Sequence, residues 1–230
     1  MNGAPALRPG KRIDLVQSLH ASTKRDYVAR VVEHDKAACA EVASQFGPDY
    51  WDGDRKYGYG GYKYDGRWRP LAERFAEIYG LRSGDRVLDV GCGKGYLLHE
   101  LREVVPGLHV AGIDVSAYAI ENAKEEVRSD LVVADAAELP FEDASFDFVV
   151  SLGVLHNLPI ARLWSALGEI TRVSRDGSAY VMVESYRDER EKANLLYWQL
   201  TCRSFYSVED WEWVYAQSGY RGDYGFIFFT

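Results

Sequence analysis

The spacing of hydrophobic positions changes near residue 85 and divides the chain into two kinds of sequence. Before that point Val28, Val31, Val32, Ala38, Cys39, Val42 and Phe46 recur at helical intervals. Thr23 and Asp26 stand ahead of them at capping-box spacing, which predicts one helix reaching Gly47-Pro48. Pro70 suits the first turn of a second helix, with Leu71, Phe75 and Ile78 on one face and Gly80 as its stop. Beyond residue 85, short β-branched runs alternate with helical stretches. Strands are expected at 86–90, 110–114, 131–135, 146–152, 179–184 and 224–229. Helices are expected at 96–105, 116–128, 160–173 and 191–202. A last helix should run from a Ser207/Asp210 capping box to Gly219. The strands are continuously apolar rather than alternating, as when helices cover both faces of a parallel sheet. This order predicts an α/β fold: a doubly wound, mostly parallel sheet of six or seven strands with helices on both faces. With no internal repeat or low-complexity linker, residues 1–230 read as one domain, with a helical and aromatic cap at 1–80 and the α/β core at 81–230.

Composition narrows the picture without redirecting it. A chain of 230 residues, 47% hydrophobic and 27% charged, has room for one good core. Its longest apolar run, 146–155, is broken by Asp147 and too short to cross a bilayer, and the N-terminus lacks the apolar stretch of a secretory signal. A cytoplasmic location without a membrane partner is the expectation. Cys39, Cys92 and Cys202 are too few and too far apart for a zinc cage or a disulfide framework, so no metal is expected. The formal charge of −8 works against a nucleic-acid partner. Residues 1–30 are the local exception, with Arg8, Lys11, Arg12, Lys24, Arg25 and Arg30 against Asp14 and Asp26. They read as a solvated or disordered arm.

The strongest chemical signal is residues 87–95, VLDVGCGKG, where a buried strand runs into a glycine-rich turn and then a helix. Glycines there allow positive φ and let a ligand approach the backbone, and the free amides of the helix start are donors. Asp89 precedes the turn, Asp114 ends the second strand and Asp135 ends the third. Adjacent parallel strands end in one crevice, so the three carboxylates should converge. The simpler alternative for each is a helix cap. A nicotinamide-binding turn would read G-x-G-x-x-G, whereas Gly91, Gly93 and Gly95 are spaced G-x-G-x-G, and no G-K-[ST] follows for a nucleotide triphosphate loop.

With these motifs in hand, residues 69–185 resemble the class I, Rossmann-like S-adenosylmethionine-dependent methyltransferases, in their small-molecule branch. Residues 87–95 match the first motif, 112–116 (GIDVS) the second, 134–141 the third, and 151–158 (SLGVLHNL) the segment after the fourth strand. The resemblance implies S-adenosylmethionine as cofactor and S-adenosylhomocysteine as product. It implies that Gly91, Cys92 and Gly93 lie against the methionine part of the cofactor, with Asp89 toward its amino group and Gly95 in the same cofactor-binding turn. Asp114, with Val115 beside it, would take the ribose hydroxyls. Asp135 and Ala136 would face the adenine, and Ser151 and Leu152 would border the sulfonium.

Methyl transfer needs chiefly in-line approach and exclusion of water. A base matters only if the acceptor must lose a proton. His156 is the candidate, and Tyr62 is a second group for the acceptor; ordering of the loop is the plainer role for His156. Residues 50–68 carry Tyr50, Trp51, Tyr57, Tyr59, Tyr62, Tyr64 and Trp68 among glycines. They read as a lid over the site or as packing between the N-terminal helices and the sheet, with Tyr57, Tyr59, Tyr64 and Trp68 as candidate substrate contacts. After the fifth strand, Glu184, Tyr186 and Arg187 are further candidates, while Leu195, Leu196 and Trp198 read as core. The single terminal strand leaves an edge open to a homodimer, unless a short strand lies near Phe205. The expected function is methyl transfer to a small-molecule acceptor. The alternative is a protein of this fold that binds the cofactor without transferring methyl groups.

Overall fold

The computed structural model describes residues 10–21 and 25–230. In chain order the N-terminal region forms α1 (Gln17–Ala21), α2 (Tyr27–Val32), α3 (Lys36–Ala43), α4 (Pro48–Trp51) and α5 (Arg69–Tyr79). The core follows as β1 (Arg86–Val90), α6 (Tyr96–Val104), β2 (His109–Asp114), α7 (Ala117–Glu121), α8 (Glu125–Arg128) and β3 (Leu131–Val133). Next come β4 (Phe148–Leu152), α9 (Ile160–Val173), β5 (Ala179–Glu184), α10 (Glu189–Trp198), α11 (Val208–Ser218) and β6 (Asp223–Ile227). The strands form one six-stranded sheet in the order β3-β2-β1-β4-β5-β6, and every pairing is parallel. Strand order reverses between β1 and β4, and the crevice at their C-terminal ends is where such sheets bind ligands.

Side-chain alternation explains why these strands carry no polar face. In β4, Phe148 and Val150 join the cluster built on Phe75 and Leu98, while Val149 joins the one built on Ile170 and Trp211. In β5, Tyr180 and Met182 pack to the first side and Ala179, Val181 and Val183 to the second. Both faces of each strand are therefore dry, and helices cover them.

The structure departs from the expected elements at its N-terminal cap and edges. The helix expected up to Gly47 is two helices, because Asp35 caps a fresh start by accepting the Ala37 and Ala38 amides at 2.9 and 3.1 Å. Val28 and Val32 face outward, 61% and 74% exposed, so no continuous apolar stripe holds α2 and α3 in line. Asp26 caps α2, while Thr23 lies outside the described residues. The helix expected at 116–128 also breaks in two, since the Lys124 amide turns back to the Lys94 carbonyl at 2.9 Å. β3 ends at Val133, before Asp135. The Ser207/Asp210 capping box and the Gly80 and Gly219 stops form as expected.

No additional strand forms near Phe205 among the described residues; Tyr186 and Ser207 make an isolated bridge there. The edge that suggested a homodimer is covered by the chain itself. The Tyr224 amide donates to the Lys11 carbonyl and the Ile13 amide to the Tyr224 carbonyl, at 2.9 and 2.7 Å. Asp14 takes the Phe226 amide at 2.9 Å, and Tyr180 donates to the Ile13 carbonyl at 2.7 Å. This removes the ground on which the dimer was expected. Among the described residues no helix is long and apolar enough to cross a membrane, and no group of His, Cys, Asp and Glu is placed to hold a metal ion.

Trp211 ties α11 to the sheet. It is fully buried, stacks on Tyr215 and donates from its indole nitrogen to the Glu184 carbonyl at 3.1 Å. Trp211→Ala should cost about 3–5 kcal/mol, read as a drop in the urea midpoint at unchanged slope. A loss under about 1 kcal/mol would show that α11 is not anchored through this ring.

Candidate active site

The glycine turn is built by the two strands that end beneath it. The Gly91 and Cys92 amides both donate to the Ile113 carbonyl, at 2.7 and 2.9 Å, fastening the end of β1 to β2. Asp114 completes the fastening, accepting the Gly93 amide at 2.8 Å on one oxygen and the Ser116 amide at 2.8 Å on the other. Burial pushes the Asp114 carboxyl up, while these amides pull it back down. Gly91 and Gly93 have positive φ, 85° and 54°. A Cβ on Gly91 would fall 2.1 Å from the Val154 side chain. Only glycine fits this backbone without displacing its neighbour.

Asp89 sits at the end of β1 below this turn, 4% exposed. Among the described residues it has no hydrogen-bond partner, and burial followed by the Asp114 charge raises its carboxyl to about 8. Asp89, Gly91, Cys92, Gly93, Gly95 and Asp114 are thus brought together as expected. Val115 follows at the surface, 53% exposed. Asp135 lies past β3, where its carboxylate accepts the Ala137 amide at 2.8 Å and pairs with Arg162, and Ala136 is buried beside it. Ser151 is buried with its hydroxyl donating to the Val90 carbonyl at 2.9 Å, so that hydroxyl braces the strands.

The aromatic segment folds over the turn. Its backbone closes on itself, with the Tyr59 amide on the Tyr50 carbonyl and the Tyr62 amide on the Trp51 carbonyl, each at 2.9 Å. Trp51 is buried and lies against Gly93, and its indole nitrogen donates to the Ser116 hydroxyl at 2.9 Å. Tyr59 stacks on Trp51 and Tyr62 on Tyr96, with ring centroids 5.3 and 5.0 Å apart. A charged latch holds the segment down. The Lys94 ammonium, 5% exposed, reaches both Asp52 oxygens at 2.7–2.8 Å and the Tyr62 carbonyl at 3.0 Å, and Tyr118 donates to Asp52 at 2.8 Å.

Beside this lid lies a cavity of about 500 Å³ at the ends of β4 and β5. Leu152, His156, Glu184, Tyr59, Tyr62 and Trp68, all singled out from sequence, line it. Tyr59 is 43% exposed because it faces this space. The other four candidate substrate contacts lie elsewhere. Tyr64 donates to Glu100 at 2.6 Å, Lys56 sits over the Tyr57 ring, Lys192 over the Tyr186 ring, and Arg187 pairs with Glu191 above Phe228. What sequence reasoning missed is the cationic side of the cavity. Arg25 and Arg30, taken for part of a solvated arm, fold back with Arg55 onto Trp198, which had read as core. The signal was the +4 charge of residues 1–30, without a partner in sequence to give it a place.

His156 is nearly fully buried, and burial lowers its imidazole to about 3, so it is neutral near pH 7. Its Nδ1 accepts the Glu184 amide at 3.3 Å, which leaves the proton on Nε2, 3.4 Å from Glu184 Oε2. Its carbonyl accepts the Arg203 and Ser204 amides at 2.9 Å. His156 therefore braces the end of β5 and lacks a free basic nitrogen. Glu184 is less engaged: Gln199 donates to its Oε1, Oε2 has no hydrogen bond, and burial raises the carboxyl to about 8.

Residues 88–182 match the family described as Methyltransferase domain. The chain is 39% identical over 114 residues to 27-O-demethylrifamycin SV methyltransferase of Amycolatopsis mediterranei (strain S699), covering 46% of this chain and 41% of that one. It is 40% identical over 123 residues to demethylmenaquinone methyltransferase of Staphylococcus aureus (strain JH9), covering 51% and 49%. The chain thus spans about half the length of the curated relatives it matches. In fold it is similar to Haemonchus contortus phosphoethanolamine N-methyltransferase 2, solved with phosphomonomethylethanolamine and S-adenosylhomocysteine. There the TM-score is 0.53 at 21% identity, over 85% of this chain and 44% of that one.

The latch is open to direct test. Asp52→Asn leaves the Lys94 ammonium buried without a carboxylate, and because Asp52 is itself part-exposed the cost should be about 1–3 kcal/mol. Amide hydrogen exchange over residues 50–64 should quicken while β1 and β4 stay protected. Unchanged exchange there would show that aromatic packing alone holds the segment.

Proposed function

We propose that this chain, which carries a class I S-adenosylmethionine-dependent methyltransferase domain, transfers a methyl group to a small-molecule acceptor held in the cavity between the aromatic segment and the ends of β4 and β5. The observation that carries the reading is Asp89. A buried carboxylate with no partner, beside amides arranged by Asp114, suits a ligand with an ammonium group and a polar sugar. The residues present fit S-adenosylmethionine: Asp89 toward its amino group and Asp114 toward its ribose, beside the glycine turn over which Trp51 now rests. When bound, that cofactor supplies a methyl group on a positively charged sulfur.

The chain's own contribution is placement and exclusion of water. The Trp51, Tyr59, Tyr62 and Tyr96 stack roofs the turn, and the roof must shift as the cofactor enters, since Trp51 rests on Gly93. Leu152 and the following loop join the turn to the cavity. Glu184 is the group we assign to receive a proton from the acceptor, and His156 is its positioning residue. Tyr62, its phenol kept neutral by burial, is a wall of the acceptor cavity. The three cysteines are free and buried, in keeping with a reducing, cytoplasmic setting.

Thermal unfolding with S-adenosylmethionine, S-adenosylhomocysteine and NAD tests the central reading. At a hundredfold excess over Kd the sulfur ligands should add about 2.7 kcal/mol, a rise of roughly 5–11 °C, which Asp114→Ala abolishes. A shift with NAD, or with none of the three, rejects it.

Glu184 makes a separate pH signature. Its folded carboxyl keeps the proton up to about pH 8, whereas an ordinary one releases it near 4.5. Its stabilising contribution is therefore complete below about pH 4.5 and is lost as pH rises to about 8. Asp89 acts in the same direction, and His156 in the opposite one, losing its contribution as pH falls below 6.5. Between pH 6 and 9 the wild type should fall in stability relative to Glu184→Gln by more than about 1 kcal/mol. Methyl transfer should rise through a limb near pH 8 that Glu184→Gln lacks. Parallel stability curves together with a retained limb would remove Glu184 from this role.

A further inference from the structure

Three guanidinium groups converge on one ring at the α10 end of the cavity. Arg30, Arg25 and Arg55 lie 4.8, 5.4 and 5.4 Å from the centroid of Trp198, and all three line the cavity with Lys63. Gathering like charges in a part-buried space is costly: burial and mutual repulsion with Arg55 depress both Arg25 and Arg30. Arg30 donates to the carbonyls of Trp198 and Arg55, and Arg55 to those of Gly58 and Tyr59. Neither has a carboxylate within ion-pair distance among the described residues. Arginines elsewhere behave differently, as in Arg102 with Asp130, Arg172 with Glu169 and Arg175 with Asp147. In a chain of net charge −8, acids are plentiful, so Arg30 and Arg55 left facing no paired acid in this cavity call for a charge brought from outside. The carboxyl in this cavity, Glu184, is engaged by Gln199 and held by burial toward its protonated form.

We propose that the acceptor is an acid, carrying a carboxylate or a phosphate that Arg30 and Arg55, with Arg25, bind at the Trp198 end of the cavity. Resting on the methyltransferase reading above, this names its substrate class. Guanidinium forks match the planar carboxylate and the phosphate alike, and flattened on an indole they are already oriented for it. Tyr59, Tyr62, Trp68 and Phe229 line the same space, so the body that carries the anion is apolar and fits among rings. The anion then anchors one end of the acceptor while Glu184, on the β5 floor, faces another part of it.

The test is calorimetric titration of the full chain, with and without saturating S-adenosylhomocysteine, using benzoate, phenyl phosphate and neutral benzyl alcohol as probes. Benzoate or phenyl phosphate should bind at least about tenfold more tightly than benzyl alcohol, the tighter of the two identifying the anion. Arg30→Gln and Arg55→Gln should each weaken the anion at least about fivefold and leave S-adenosylhomocysteine within about twofold. Arg55→Lys, which keeps the charge, should retain anion binding that Arg55→Gln loses, separating charge recognition from loss of fold. Equal binding of the neutral probe, no anion binding at millimolar concentration, or survival of anion binding in the double Gln variant overturns the proposal. So does loss of S-adenosylhomocysteine in the Gln variants, which would assign the cluster to the cofactor's own carboxylate. A wild type that binds no S-adenosylhomocysteine rejects the methyltransferase reading instead, and the titration without it still decides the cluster.

Discussion

The site depends on one buried carboxylate. Asp114 holds the Gly93 amide on one oxygen and the Ser116 amide on the other, joining the glycine turn after β1 to the helix start after β2. Removing it would leave two buried amides without an acceptor, each a desolvation cost of about 1–3 kcal/mol. It would also free a backbone whose positive φ angles are kept only by such fastening. Ser116, placed by Asp114, caps α7 and receives the Trp51 indole. A single side chain at a strand end thus determines turn, helix cap and roof together. Asp89, one strand over, has no such amides, and the contrast between the two acids distinguishes a built turn from a waiting ligand position.

Much of the α/β core was legible because its constraints are local. A strand dry on both faces must be apolar at every position, and a turn at positive φ must be glycine, so residues 87–95 and the runs at 148–152 and 179–184 declare themselves. The N-terminal cap was less legible. Its helices α2 and α3 carry no strong apolar stripe, and their boundaries rest on single contacts such as Asp35 to the Ala37 amide. The parallel course of β6 and the cover that residues 11–14 give its edge depend on contacts across more than two hundred residues, which no local pattern records.

Site residues divide along the same line. Those on the glycine turn were placed by motif, and Leu152, His156 and Glu184 by their position at strand ends. The chemical weight of His156 and Glu184 was not. That Nδ1 of His156 accepts the Glu184 amide, which gives His156 the ordering role read from sequence as the plainer one, is a fact of packing. Tyr57, Tyr64, Tyr186 and Arg187 shared the composition of the true cavity residues, but Glu100 and Glu191, invisible as partners in sequence, draw Tyr64 and Arg187 away.

The distribution of charge around the site has its own logic. The turn side is acidic, with Asp89 and Asp114 buried near each other and each raised by its surroundings. The far end of the cavity is basic, with Arg25, Arg30 and Arg55 about one indole. Arg30 and Arg55 face no carboxylate within ion-pair distance among the described residues, and both ends sit under one aromatic segment whose latch pairs Lys94 with Asp52. Burial sets the cost at both ends: it drives the Asp89 carboxyl toward its protonated, neutral form and lowers Arg25, Arg30 and Arg55. A ligand of opposite charge at either end would offset that cost. The proposed methyl donor and acid acceptor would then meet in one enclosure without competing for the same wall, as a transfer between them would require.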